Sequence, residues 1–152
     1  MIKKRNRKNS SENKKVKNAR ITIYDGISFK SKLEVYCYKK LKENGIPFEY
    51  EKYKFTLFEG VKPSILTSIF PNKQGILEVN TDKLRDITYT PDFVGDSWII
   101  ETKGRANDSY PLKLKMFRKL MENQNKYRLF MEPHNQKQVD EAIKLIKELQ
   151  TI

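Results

Sequence analysis

Apolar positions along the chain switch repeatedly between a period of two and a period near 3.6, and each switch marks an element boundary. Residues 1 to 18 show neither period, only Lys, Arg, Asn and Ser, so a disordered basic arm is expected ahead of one domain spanning 19 to 152. Short β-prone runs on either side of Asp25-Gly26 predict a small hairpin over residues 20 to 30. Residues 31 to 44, closed by Gly45, predict a helix with Leu33, Tyr36, Cys37 and Leu41 on its inner stripe. From 46 to 58 the alternation of Phe48, Tyr50, Phe55 and Leu57 predicts one strand. Residues 59 to 84 break the pattern with two prolines, two glycines and scattered apolar side chains. They read as an insertion whose role as substrate loop, dimer contact or filler the pattern leaves open.

The period of two returns in residues 86 to 104, DITYTPDFVGDSWIIETKG. Ile87, Tyr89 and Phe93 alternate with Thr88, Thr90 and Asp92, and Trp98 and Ile100 alternate with Ile99, Glu101 and Lys103, which predicts a hairpin about Gly95-Asp96. An even turn sets position 92 against 99 and makes Asp92 and Glu101 diagonal neighbours on one face, about 7 to 8 Å apart at the backbone. Lys103, two residues on from Glu101, shares that face.

A helix is then expected from Ser109 to about residue 123, with Leu112, Met116, Phe117 and Leu120 inward and Lys113, Lys115, Arg118 and Lys119 outward. Residues 127 to 132 predict a strand and 133 to 135 a turn holding His134, the one histidine. Asn135 and Gln138 form a cap pair for a last helix whose stripe is Val139, Ala142, Ile143, Ile146 and Leu149. This order of elements predicts an α/β domain, a mixed β-sheet flanked by helices.

Composition narrows the function classes. At 152 residues, 33% charged and 38% hydrophobic, one soluble intracellular (cytoplasmic) domain is expected, with no membrane partner, since no run nears the ~20 apolar residues of a span. A single cysteine, Cys37, excludes an internal disulfide and a cysteine-based zinc site. The formal charge of +12 points to a polyanionic partner, DNA. Residues 1 to 20 hold nine Lys or Arg against one Glu, eight of those twelve net charges. Lys3, Lys4, Arg5, Arg7 and Lys8 in the arm, and Arg105, Lys113 and Lys115 after the hairpin, are the candidate phosphate contacts.

Two carboxylates as close as Asp92 and Glu101 repel unless a hard cation lies between them, and oxygen ligands of this kind suit Mg²⁺ or Mn²⁺. An ion there acidifies a water, and Lys103 can hold that water or offset charge growing on a phosphate. A surface hairpin with a cross-strand ion pair is the plainer alternative, and it leaves the two acids crowded without purpose. Glu34 has two readings: a carboxylate reaching the same site, or half of a capping box with Ser31.

The runs TPDF and IETKG resemble the PD-(D/E)xK nuclease signature, carried by Pro91, Asp92, Glu101 and Lys103. Together with SFKSKLEVYCYKKLKENGIPFEY, the match over residues 20 to 58 and 85 to 131 resembles the phage-type endonuclease I group of junction-resolving enzymes and related small phage nucleases. The resemblance implies a restriction-endonuclease-like core. It also implies metal binding by Glu34, Asp92 and Glu101 with the Thr102 carbonyl, a water-positioning role for Lys103, and branched DNA cut by a homodimer. The insertion at 59 to 84 departs from that family's pattern. Another nuclease of the superfamily, akin to a transposase strand-cutting subunit or a phage replication or packaging nuclease, is an alternative, as is a non-catalytic DNA-binding protein.

Overall fold

The computed structural model describes residues 21–64, 69–71, 73–75, 77–79, 83–103 and 109–151, of which 69–71 and 77–79 by their backbone alone. The expected basic arm, with Lys3, Lys4, Arg5, Arg7 and Lys8, and the expected contact Arg105 lie outside the described residues. In chain order the elements are β1 (Thr22–Tyr24), β2 (Ile27–Phe29), α1 (Lys32–Glu43), β3 (Glu49–Tyr50), β4 (Phe55–Phe58), β5 (Ile69–Pro71) and β6 (Leu77–Val79). They continue with β7 (Ile87–Tyr89), β8 (Phe93–Val94), β9 (Trp98–Ile100), α2 (Tyr110–Gln124), β10 (Leu129–Met131) and α3 (Gln136–Gln150).

The chain is α/β, with a mixed sheet in the order β10-β9-β8-β3. β10 runs parallel to β9, and the other two pairings are antiparallel. A parallel neighbour requires a crossover, which α2 supplies between β9 and β10. On one face, Phe93, Trp98 and Ile100 pack against α1 and α3 through Leu41, Val139 and Ile146. On the other, Val94 and Ile99 pack against Phe117 and Met121 of α2 and Tyr89 of β7. The alternation along β8 and β9 thus sends successive side chains into two different cores.

The ends of α1 and α3 explain where those two helices begin, and that of α1 where it stops. α1 starts at Ser31, whose Oγ accepts from Glu34 N at 3.1 Å, and closes with Gly45 N on Lys42 O and Ile46 N on Leu41 O, both 3.0 Å. That pair of bonds is a Schellman motif, which satisfies carbonyls the last turn would leave open. α3 starts at Asn135, whose side chain accepts from Gln138 N at 3.0 Å. Its inner stripe is Val139, Ala142, Ile143 and Ile146, as the period predicts. Cys37 is fully buried in α1, as expected of a small core residue.

Four expectations are corrected. The strand over 46 to 58 is two strands in different sheets, because Glu51 takes a left-handed φ of 44° and turns the chain between β3 and β4. The first arm of the central hairpin is likewise interrupted at Thr90-Pro91: β7 pairs with β4, β8 with β9. α2 is rolled so that Tyr110, Phe117 and Met121 are buried, which leaves Leu112 62% exposed. Lys113, one turn from Tyr110, therefore sits at the inner edge and donates from Nζ to Thr88 O at 3.1 Å rather than facing outward. Within 59 to 84, the stretch read as a loop is partly paired. Leu84 N donates to Val61 O at 2.9 Å, and β5 pairs antiparallel with β6 from Ile69↔Val79 to Pro71↔Leu77 as a separate two-stranded sheet. No helix among the described residues is long and apolar enough to cross a membrane.

Candidate active site

The central hairpin turns one residue later than the sequence pattern suggests, about Asp96-Ser97. Gly95 N donates to Trp98 O at 2.9 Å, and the register runs Val94↔Ile99 and Phe93↔Ile100. Carried one step further, it sets Asp92 directly opposite Glu101, not diagonal to it. A bond from main chain to side chain fits that pairing: Asp92 N donates to Glu101 Oε2 at 3.2 Å. Beyond β9 the chain stays extended, with Glu101 N on Met131 O at 3.0 Å and Lys103 N on Pro133 O at 2.9 Å. Amides alternate in direction along an extended chain, so the intervening Thr102 N–H faces the hairpin partner instead. It donates to Asp92 Oδ2 at 2.8 Å, and Thr102 Oγ1 donates to the same oxygen at 2.7 Å. Thr102 thus anchors Asp92 through its amide and hydroxyl.

Lys103 follows on the same rail. Its Nζ pairs with Glu101 Oε1 at 2.6 Å and stands 3.8 Å from the centre of the Tyr110 ring. The ammonium thus lies between a carboxylate on one side and the negative face of a ring on the other. Tyr110, first residue of α2, is held in turn by its hydroxyl, which donates to Glu132 Oε1 at 2.5 Å. Burial, then that bond, raises the Tyr110 pKa above the ordinary tyrosine range. Tyr89 lies against Tyr110 at 6.4 Å between ring centres, and burial, reinforced by Glu101, raises its pKa as well.

Glu34 is buried at the start of α1 and fills the expected capping role in an unexpected form. Its Oε2 accepts from Lys30 N at 2.9 Å and from the Tyr50 hydroxyl at 2.8 Å. α3 shows the same device in neutral form, where Gln138 Oε1 accepts from His134 N at 2.7 Å. In both helices the third residue reaches back past the cap to the residue before it, and an amide serves as well as a carboxylate. Capping therefore does not account for a charge at position 34. Tyr50, raised in pKa by burial and then by Glu34, keeps its proton as donor.

Asp92, Glu101, Thr102 and Lys103 are brought into direct contact, whereas Glu34 is turned onto Lys30 and Tyr50. Among the described residues no group of three or more His, Cys, Asp or Glu side chains stands assembled to hold a metal ion. The chemistry of the donors nevertheless fits a hard cation. Glu34, Asp92 and Glu101 are each at most 8% exposed. Burial, followed by Glu101 and Glu34, pushes the Asp92 carboxyl up to about 8 even though Thr102 donates to it. The pocket is short of positive charge by its own electrostatics.

Lys30 adds a cation at the rim. Burial opposes its charge, but Glu51, Asp92 and Glu34 outweigh burial and hold the ammonium above the usual lysine range. It is paired with Glu51, whose N–H donates to Asp92 O at 2.9 Å. Lys115 is exposed on α2. Tyr50, Tyr89, Tyr110, Lys30 and Glu51 carry no signal at motif level, since aromatic contacts between distant strands leave no period in the sequence.

A family model described as "Protein of unknown function (DUF1064)" matches residues 13–133. No curated protein and no solved structure matches the chain.

Proposed function

The chain belongs to the DUF1064 family, and we propose that it is a metal-dependent DNA endonuclease. One observation carries this reading: Asp92 and Glu101 are buried face to face, with Lys103 as the ammonium on Glu101. Burying unbalanced carboxylates costs stability, so a site that keeps them is built for a charge it does not itself contain. The resemblance of TPDF and IETKG to the PD-(D/E)xK signature supports the same assignment.

Asp92 and Glu101 would hold Mg²⁺ or Mn²⁺ with the Thr102 carbonyl, and Glu34 would complete or support a further position. The ion supplies Lewis acidity toward a phosphate oxygen and a water of lowered pKa. Lys103, already an ammonium in a carboxylate pair, donates hydrogen bonds that orient the attacking water and meet negative charge on the phosphate. Hydrolysis forms one phosphorus–oxygen bond to water and breaks one to the leaving nucleotide oxygen. The cationic surface, including Lys115, holds the DNA backbone. By resemblance the substrate is branched DNA such as a four-way junction, and two cuts would require a homodimer, since each chain brings one site.

Purified protein incubated with duplex, single-stranded and junction DNA, in Mg²⁺ or EDTA, tests the proposal, with Asp92→Ala and Glu101→Ala as controls. Cleavage that needs both the metal and the acids is the expected result. One observation favours a second reading, a non-catalytic DNA-binding protein: each acid already has hydrogen-bond donors of its own. DNA binding with no metal-dependent product on any of the three substrates would establish that reading instead.

A further inference from the structure

Tyr89 sits on β7 with its ring 4.6 Å from Phe117 and 6.4 Å from Tyr110, centre to centre. The residue is 7% exposed. Its buried hydroxyl makes no hydrogen bond of good geometry, although Glu101 and Tyr110 stand near enough to act on it. Orphan buried hydroxyls are uncommon and costly, and phenylalanine would pack the same space without the cost. The neighbouring oxygens are already engaged. Glu101 Oε1 is occupied by Lys103, Glu101 Oε2 by Asp92 N, and the Tyr110 hydroxyl donates to Glu132.

Resting on the nuclease reading, we propose that Tyr89 is a positioning residue for Glu101, its hydroxyl donating to the carboxylate oxygen that Lys103 vacates when the ammonium turns to the DNA. Glu101 then keeps a donor on each carboxylate oxygen, and its orientation, in both states. Residues that orient a ligand in this way alter metal affinity or rate by roughly 10- to 100-fold when removed.

The test uses the full chain carrying Tyr89→Phe beside the wild type, with Mn²⁺ alone as the first probe and junction DNA as the second. Without metal, the variant melts at or above the wild-type temperature, because a buried hydroxyl with no bond of good geometry has gone. The Mn²⁺ concentration giving half-maximal thermal stabilisation rises about tenfold, and kcat falls by a similar factor at unchanged KM for DNA. Equal Mn²⁺ midpoints and equal kcat would overturn the role of Tyr89 while leaving the nuclease intact. A variant melting well below wild type would also overturn it, by revealing a structural bond. A wild type that neither responds to Mn²⁺ nor cleaves would overturn the nuclease reading, and this inference with it.

Discussion

The Asp92 amide donates to the Glu101 carboxylate at 3.2 Å, so the two acids of the site are coupled through backbone as well as through charge. Everything that fixes the hairpin register fixes their separation.

The raised Asp92 pKa gives a pH dependence of known sign. Between the ordinary carboxylate range near 4 and about 8, the folded protein binds a proton that the unfolded chain has released. The stability this contributes is fully present below that window and is lost as pH rises through it, by at most about 1.4 kcal/mol per pH unit. Urea midpoints of the metal-free protein at pH 5 and pH 8 measure the loss, Asp92→Asn should flatten it, and Mn²⁺ should restore stability at pH 8. A slope unchanged in the variant would reject Asp92 as its source.

Position 34 separates capping from charge. Glu34→Gln keeps the acceptor for Lys30 N, as Gln138 does for His134, and should change stability by less than about 1 kcal/mol. It should still lose metal-dependent cleavage. Glu34→Ala leaves the Tyr50 hydroxyl without its acceptor and should cost about 1 to 3 kcal/mol in chemical denaturation.

Lys103 owes its place partly to a ring. Tyr110→Leu removes the face 3.8 Å from its ammonium, an interaction of about 0.5 to 2 kcal/mol, so cleavage should slow several-fold. Tyr110→Phe keeps the face and loses only the Glu132 bond, and single-turnover rates should rank it between wild type and the leucine variant.

The hairpin turn admits no side chain at position 95. A Cβ on Gly95 would stand 2.2 Å from Cε2 of Trp98. Gly95→Ala should destabilise the protein by about 1 to 3 kcal/mol, since a packed core absorbs such overlap poorly. Trp98, the single tryptophan and 2% exposed, reports the unfolding by fluorescence.

Deleting residues 1 to 18 should flatten the dependence of DNA affinity on salt concentration more than it changes the metal response. Residues 1 to 18 hold eight Lys or Arg against one Glu, seven of the twelve net charges, and each phosphate that is no longer neutralised lowers the slope by about one unit. Fluorescence anisotropy with a labelled duplex at several salt concentrations reads this directly.

Helices α1 and α3 were legible because their signals are local: Ser31, Gly45, Asn135 and Gln138 sit where a cap needs them, and a stripe repeats between. The motif acids were legible because charge in an apolar, β-prone run asks for a reason. Register was not, because alternation is unchanged when pairing slides by two, and only the Gly95–Trp98 closure decides it. The splitting of β3 from β4 rests on one left-handed residue, Glu51, of a type that gives no warning. In α2 several leucines and lysines compete for the inner face, and tertiary packing on Tyr89 and Val94 chose between Leu112 and Lys113.

Thr102 carries a last consequence. In a pattern written D…ExK the middle letter is a blank, open to any residue, yet here its amide is what tethers the first letter of the pattern. The blank is therefore not idle: any residue with a backbone N–H can make the first bond, and the threonine hydroxyl adds a second to the same oxygen. An imino acid there would untie Asp92 while leaving every named letter of the motif intact.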